Sequence, residues 1–101
     1  MSTEDRIEMP LYLTFLRVDR TKTNDCKRHL KALPEKTNPG INLYYIANVF
    51  GEWDTCVWFE SNNNDHAMNF VQNKLATIPG VTLTYTMPTT SIKEYYKTHR
   101  K

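Results

Sequence analysis

The chain has 101 residues, 40% hydrophobic and 24% charged, with only three glycines and a net charge of +2 at neutral pH. That length supports one small domain, read here as 1–101, and excludes two. Gly40, Gly51 and Gly80 stand far apart, which excludes P-loop and Rossmann phosphate cradles, because those cluster glycines where the backbone closes on an anion.

Met1 to Met9 is polar and acidic; it lacks the basic n-region and apolar h-region of a secretory leader, and residues 1–9 are expected to be a mobile end. Leu11 to Val18 (LYLTFLRV) is rich in aliphatic and aromatic residues and runs into the polar Asp19-Arg20-Thr21, predicting a first strand. Residues 22–33 switch to helical spacing: Cys26, Leu30 and Leu33 share one face while Lys27, Arg28 and Lys31 point away. Thr23 or Asn24 supplies the N-cap oxygen, and Pro34 ends the helix. Glu35 to Gly40 (EKTNPG) is turn chemistry.

Ile41 to Phe50 alternates as a second strand, and a third runs from about Trp53 to Glu60, leaving only Gly51 and Glu52 between them. A two-residue Gly-X connection suits a type II′ turn, so an antiparallel hairpin is expected. Ser61 to Asp65 offers several caps, and Ala67, Met68, Val71, Leu75 and Ile78 then repeat at helical spacing. Ile78-Pro79-Gly80 turns the chain into a last strand, Val81 to Met87, and Ser91 to Tyr96 fits either a short helix or an edge strand. Residues 97–101 are expected to be a second mobile end.

The order β-α-β-β-α-β predicts a ferredoxin-like α+β fold, with two helices on one face of a four-stranded antiparallel sheet. In a monomer the uncovered face should be polar. Here both alternating sets are apolar or aromatic, Tyr12, Leu16 and Val18 against Leu11, Leu13 and Phe15, and Trp53, Val57 and Phe59 against Cys56 and Trp58. A second copy packed sheet to sheet, making a dimeric α/β barrel, is the simplest cover.

Two segments resemble the effector-binding (RAM) domain of Lrp/AsnC regulators. Asn48-Val49-Phe50-Gly51-Glu52-Trp53-Asp54 is similar to its v-t-G-x-aromatic-D hairpin, and Leu75 to Thr86 (LATIPGVTLTYT) to its L-x-x-apolar-P-G-V-x-x-t-x-T stretch. The resemblance spans roughly Leu11 to Met87. The departures are a longer Glu35–Gly40 loop, Trp53 where Tyr or Phe is commoner, and no N-terminal helix-turn-helix. The resemblance implies a stand-alone domain that dimerises, assembles into larger rings and binds a small, amino-acid-like effector, without contacting DNA directly. It implies ligand-binding roles for Gly51, Glu52, Trp53, Asp54, Thr84 and Thr86, and a function as a sensor or modulator in transcriptional or metabolic regulation.

Chemistry is compatible with those roles. Gly51 lets a carboxylate approach backbone N–H groups, Asp54 can accept from an ammonium, and threonine hydroxyls complete a polar ring. Each residue also has a purely structural reading: Gly51 as the turn, Asp54 as a hairpin brace, Thr84 and Thr86 as ordinary strand residues, and Trp53 as core or oligomer interface.

Other functions find less support. Dimeric α/β-barrel monooxygenases place Asn, Trp and His around a substrate, and Asn48, Trp58 and His66 are present without a matching spacing; this is the alternative reading. No nucleophile motif accompanies His29, His66 or His99, so a non-enzyme is expected, with His29 and His66 on helix surfaces. Cys26 and His29 are two ligands where a structural zinc takes four; no metal or cofactor is expected. An RNA-recognition fold shares the topology, but the third strand carries acids and no Lys or Arg.

The charge is unevenly spread. From Arg17 to Lys36 seven bases (Arg17, Arg20, Lys22, Lys27, Arg28, Lys31, Lys36) stand against three acids (Asp19, Asp25, Glu35), whereas Thr37 to Ile92 has four acids against Lys74 alone. Such mixing reads as solvated helix faces. No apolar run is long enough for a membrane span. Cys26 and Cys56 lack CxxC spacing and read as packed thiols in a reducing cytoplasm.

Overall fold

The computed structural model describes residues 10–37 and 40–93. Strand β1 is Leu11–Val18, α1 is Thr23–Lys31, β2 is Ile41–Asn48, β3 is Thr55–Ser61, α2 is Asn64–Phe70 and β4 is Val81–Thr89. The strands form one antiparallel sheet in the order β2-β3-β1-β4. This is the expected ferredoxin-like arrangement.

Local side-chain bonds mark the 3-10 turn that leads into α1 and the start of α2. Before α1, the chain makes a 3-10 turn, Arg20–Lys22, whose start is capped by Asp19 accepting from the Thr21 amide. That bond, with a second from the Thr21 hydroxyl, holds the Asp19 carboxyl below the usual range. The expected cap at Thr23 or Asn24 is therefore displaced: the earlier aspartate captures an amide before the α-helix proper begins, and Lys22 at its cap makes no such bond. Asn63 caps α2 by accepting from the His66 amide at 2.8 Å. After Phe70 the helix widens into a π turn, Val71–Leu75, closed by the Ala76 amide on the Val71 carbonyl, and Val71, Leu75 and Ile78 all stay buried.

Register assigns the two faces. On the helix side the rows Leu43–Phe59–Tyr12–Pro88, Ile46–Val57–Thr14–Thr86 and Asn48–Thr55–Leu16–Thr84 cross the four strands. Leu16, Val57, Phe59, Phe70, Ala67 and Leu75 are fully enclosed there, and Phe59 stacks on Tyr12 and meets Phe70 edge-on. Tyr12 also bonds Asn64 at the start of α2 through its hydroxyl.

The outer face carries the rows Tyr45–Trp58–Leu13–Met87 and Ala47–Cys56–Phe15–Tyr85. No described helix covers it, and Tyr45, Leu83 and Tyr85 are 61%, 50% and 53% exposed. The sheet is thus apolar on both sides.

Two strand expectations change. A bulge at Tyr44/Tyr45 sets two β2 residues against Trp58, so strict alternation fails: Ile41, Leu43 and Ile46 pair with helix-side residues, while Tyr45 and Ala47 move to the outer face. The hairpin is also longer than a two-residue turn. Strands end at Asn48 and resume at Thr55, and the loop is closed by the Val49 amide on the Asp54 carbonyl at 3.0 Å. β4 runs two residues past Met87, to Thr89. Ser91 to Lys93 is neither helix nor strand; the rest of the tail reading, His99 and the two expected mobile ends lie outside the described residues.

Candidate functional site

The hairpin tip is anchored to the end of β1 by three bonds. The Asp54 amide donates to the Leu16 carbonyl at 2.9 Å, the Val18 amide donates to Asp54 Oδ2 at 2.8 Å, and Arg17 Nε donates to the Glu52 carbonyl at 3.0 Å. Asp54 therefore acts as a brace, with Oδ2 already occupied by backbone. Gly51 adopts φ +114°, and nothing lies within 4 Å of where its side chain would begin. Its conformation favours glycine, and the space beside it is open. Among the described residues, none of the Phe50, Gly51, Glu52 and Trp53 amides donates to another group.

Trp53 leaves the loop toward the outer face. Its ring lies 6.0 Å from Phe15 and 6.1 Å from Tyr85, nearly parallel to the latter, and the Arg17 guanidinium sits 5.1 Å over it. The sequence pattern had grouped Trp53 with Val57 and Phe59. It departs from them because it belongs to the loop, where strand alternation does not hold.

Thr84 and Thr86 lie on the opposite side of the sheet. Thr84 pairs with Leu16, which puts it across β1 from the Asp54 backbone, about 10 Å away at two strand spacings. Thr86 is one row further along, and its hydroxyl is 2.8 Å from that of Thr14, a fully buried residue. The structure thus brings Gly51, Glu52, Trp53, Asp54 and Thr84 to one end of the sheet, but Trp53 and the threonines face opposite ways. Arg17 and Tyr85, which complete the surroundings of Trp53, went unnoticed in the sequence. Their signal is parity: Arg17 continues the Leu13, Phe15 series and Tyr85 the Leu83, Met87 series.

The residues of the oxygenase alternative do not converge. Trp58 is on the outer face, Asn48 is exposed at the end of β2, and His66 is on α2, which packs against the other face. His66 is half-buried rather than on the surface, with Nδ1 enclosed and unpartnered among the described residues. The cause is Gly40, whose missing side chain leaves the room that the His66 and Asn62 side chains fill. His29 is exposed, with Nδ1 2.9 Å from the Asp25 carbonyl, whereas Cys26 points into the core. Cys26 and Cys56 are free thiols, and burial pushes both up from the ordinary value of 9.0. Among the described residues, no group of three or more His, Cys, Asp or Glu could hold a metal, and no helix is long and apolar enough to cross a membrane.

Solved structures with the same arrangement include FFRP-DM1, at TM-score 0.65 and 22% identity over 81% of this chain and all of that one. Others are a Neisseria meningitidis transcriptional regulator in complex with L-Met, at 0.71 and 13% over 94% of this chain, and Escherichia coli AsnC, at 0.71 and 12% over 94%. This chain shares the fold of Lrp/AsnC-type regulators. It spans all of FFRP-DM1 but only 58% of the Neisseria regulator and 60% of AsnC. No family model and no curated protein matches the chain. The Lrp/AsnC fold assigns the architecture; at these identities the site rests on this chain's own residues.

Proposed function

We propose that this domain is a small-molecule sensor: it pairs through the outer face of its sheet into a dimeric α/β barrel, able to build larger rings, and binds an amino-acid-like effector at the hairpin Gly51–Asp54. It modulates other proteins in transcriptional or metabolic regulation, with no direct contact to DNA, and works in a reducing cytoplasm where Cys26 and Cys56 stay thiols. The observation that carries the reading is the hairpin itself, a braced loop whose unused amides adjoin the open space at Gly51 and an aromatic cluster. Such donors suit a carboxylate, and the acids Glu52 and Asp54 suit an ammonium. The L-Met complex of the Neisseria regulator, a protein of the same fold, supports the choice of effector class.

Dimerisation follows from apolar exposure. Leu13, Trp58, Tyr45 and Met87 form one uncovered row and Phe15 and Tyr85 adjoin it, an area that another sheet face would remove from water. Sedimentation velocity should give a dimer or larger at micromolar concentration, and Leu13→Glu a folded monomer. A thermal-shift series over the common L-amino acids should raise the melting temperature with at least one. A wild-type monomer would defeat the pairing, and no shift with any amino acid would defeat the effector reading.

A further inference from the structure

We infer that Arg17 is the anion anchor of the hairpin site, binding the carboxylate of a small, monoanionic or zwitterionic ligand; this deepens the sensor reading and rests on it for the ligand's class. Arg17 lies at the end of β1, outside every motif that pointed to the hairpin. Its guanidinium is fixed twice, by Nε on the Glu52 carbonyl at 3.0 Å and by the Trp53 ring at 5.1 Å. Trp53 is itself fixed by Phe15 and Tyr85. Among the described residues, the two terminal nitrogens have no partner, although Arg17 is exposed. A guanidinium whose plane is set and whose outer edge is unused presents the paired donors that a carboxylate takes in parallel.

The same contact that fixes Arg17 ties it to the loop bearing the unused 50–53 amides, so cation and amides sit on one hairpin tip. The charge balance selects the ligand. The loop that holds the guanidinium also carries two acids, Glu52 and Asp54, a local balance that opposes a dianion such as a phosphate ester and accommodates a carboxylate accompanied by an ammonium. Trp53 and Tyr85 adjoin the anchor and give an apolar substituent a surface to rest on. Because Phe15 and Tyr85 belong to the outer face, the site lies at the margin of the surface proposed for pairing.

The test is an NMR titration of the full chain, following the Arg17 Nε–Hε signal and the amides of residues 51–53. The probes are the common L-amino acids, hexanoate (carboxylate without ammonium) and hexylamine (ammonium without carboxylate). At least one amino acid should move these signals, as should hexanoate at higher concentration, and hexylamine should not. Arg17→Gln and Arg17→Lys should each weaken amino-acid binding at least tenfold, since lysine lacks both the fork and the Nε bond; the wild-type Nε–Hε shift reads the contact directly should a variant fold poorly. Amino-acid binding within twofold of wild type in both folded variants would overturn the anchor and leave the sensor reading standing. Movement of Arg17 by hexanoate but by no amino acid would uphold the anchor and overturn the amino-acid reading. Silence toward every probe would overturn both.

Discussion

The Val18 amide donates to Asp54 Oδ2 at 2.8 Å, joining the last residue of β1 to the last residue of the hairpin loop. The Asp54 amide completes the clamp on Leu16. A side chain of the proposed effector site is thus a structural brace. Asp54→Ala should lower stability by about 1–2 kcal/mol, the range for a charged acceptor of a backbone donor in partial contact with water, whereas Asp54→Asn, which keeps an acceptor oxygen, should lose less. Urea denaturation measures both. Equal losses would mean that the carboxylate's charge, and not its bond to Val18, carries the effect. Any loss of effector affinity in Asp54→Ala must be compared with this cost.

Periodicity made most of this fold legible and local bonding hid the remainder. β1 is bounded where its apolar run is bounded, and β4 starts directly after Gly80. The β2 register escaped because Tyr44 and Tyr45 are both strand formers, and nothing local marks where a bulge inserts. The helix cap escaped because Asp19, Thr23 and Asn24 are all competent; in the fold Asp19 accepts from the Thr21 amide, while the Thr23 hydroxyl donates to the Arg20 carbonyl. In the candidate site the hairpin and last strand were found by motif, but their opposite orientation depends on the loop releasing Trp53 from alternation. Arg17 is marked in the sequence by strand parity alone, because its contacts are with Glu52 and Trp53, more than thirty positions away in the chain.

Thr14 and Thr86 give a test of whether the candidate ligand threonine is engaged inside the fold. Their hydroxyls are 2.8 Å apart, with Thr14 fully buried. Thr14→Val and Thr86→Val each leave one hydroxyl unpaired and should cost about 1–3 kcal/mol, while the double variant removes both polar groups and should cost well under the sum. Chemical denaturation of the four proteins closes the cycle. Additive losses would show that the pair is not coupled and would return the Thr86 hydroxyl to consideration as a ligand contact.

Two glycines with positive φ separate backbone strain from steric contact. At Gly51, φ is +114° and the surroundings are open; at Gly80, φ is +95° and a Cβ would stand 2.8 Å from Lys22 Cβ and 3.3 Å from the Lys22 carbonyl oxygen. Gly51→Ala should cost about 1–2 kcal/mol from conformation alone, and Gly80→Ala about 3 kcal/mol or more, because its neighbours lie on or next to backbone and cannot swing aside. Equal losses in thermal or urea melts would show that the turn at Lys22 gives way.

The thiols predict a loss of stability in alkali. Burial raises the Cys26 pKa, with the Asp54 carboxylate adding to it, and burial raises that of Cys56 against a smaller opposing bond from Ala47. Below the unfolded value both states hold the protons, so neither thiol makes stability depend on pH. As pH rises past about 8.5–9 the unfolded chain releases protons that the folded chain keeps, and stability falls until the folded thiols ionise as well, at up to about 1.4 kcal/mol per pH unit for each thiol. Burial also raises the Tyr12 pKa above 10.0, so its loss has the same sign but begins higher. Under reducing conditions the urea midpoint should therefore decline between about pH 8 and 9.5. The decline should flatten in a Cys26→Ala, Cys56→Ala double variant even though its midpoint starts lower, because the missing side chains change the intercept and the missing protons change the slope. An unchanged slope would assign the alkaline loss to groups other than the two cysteines.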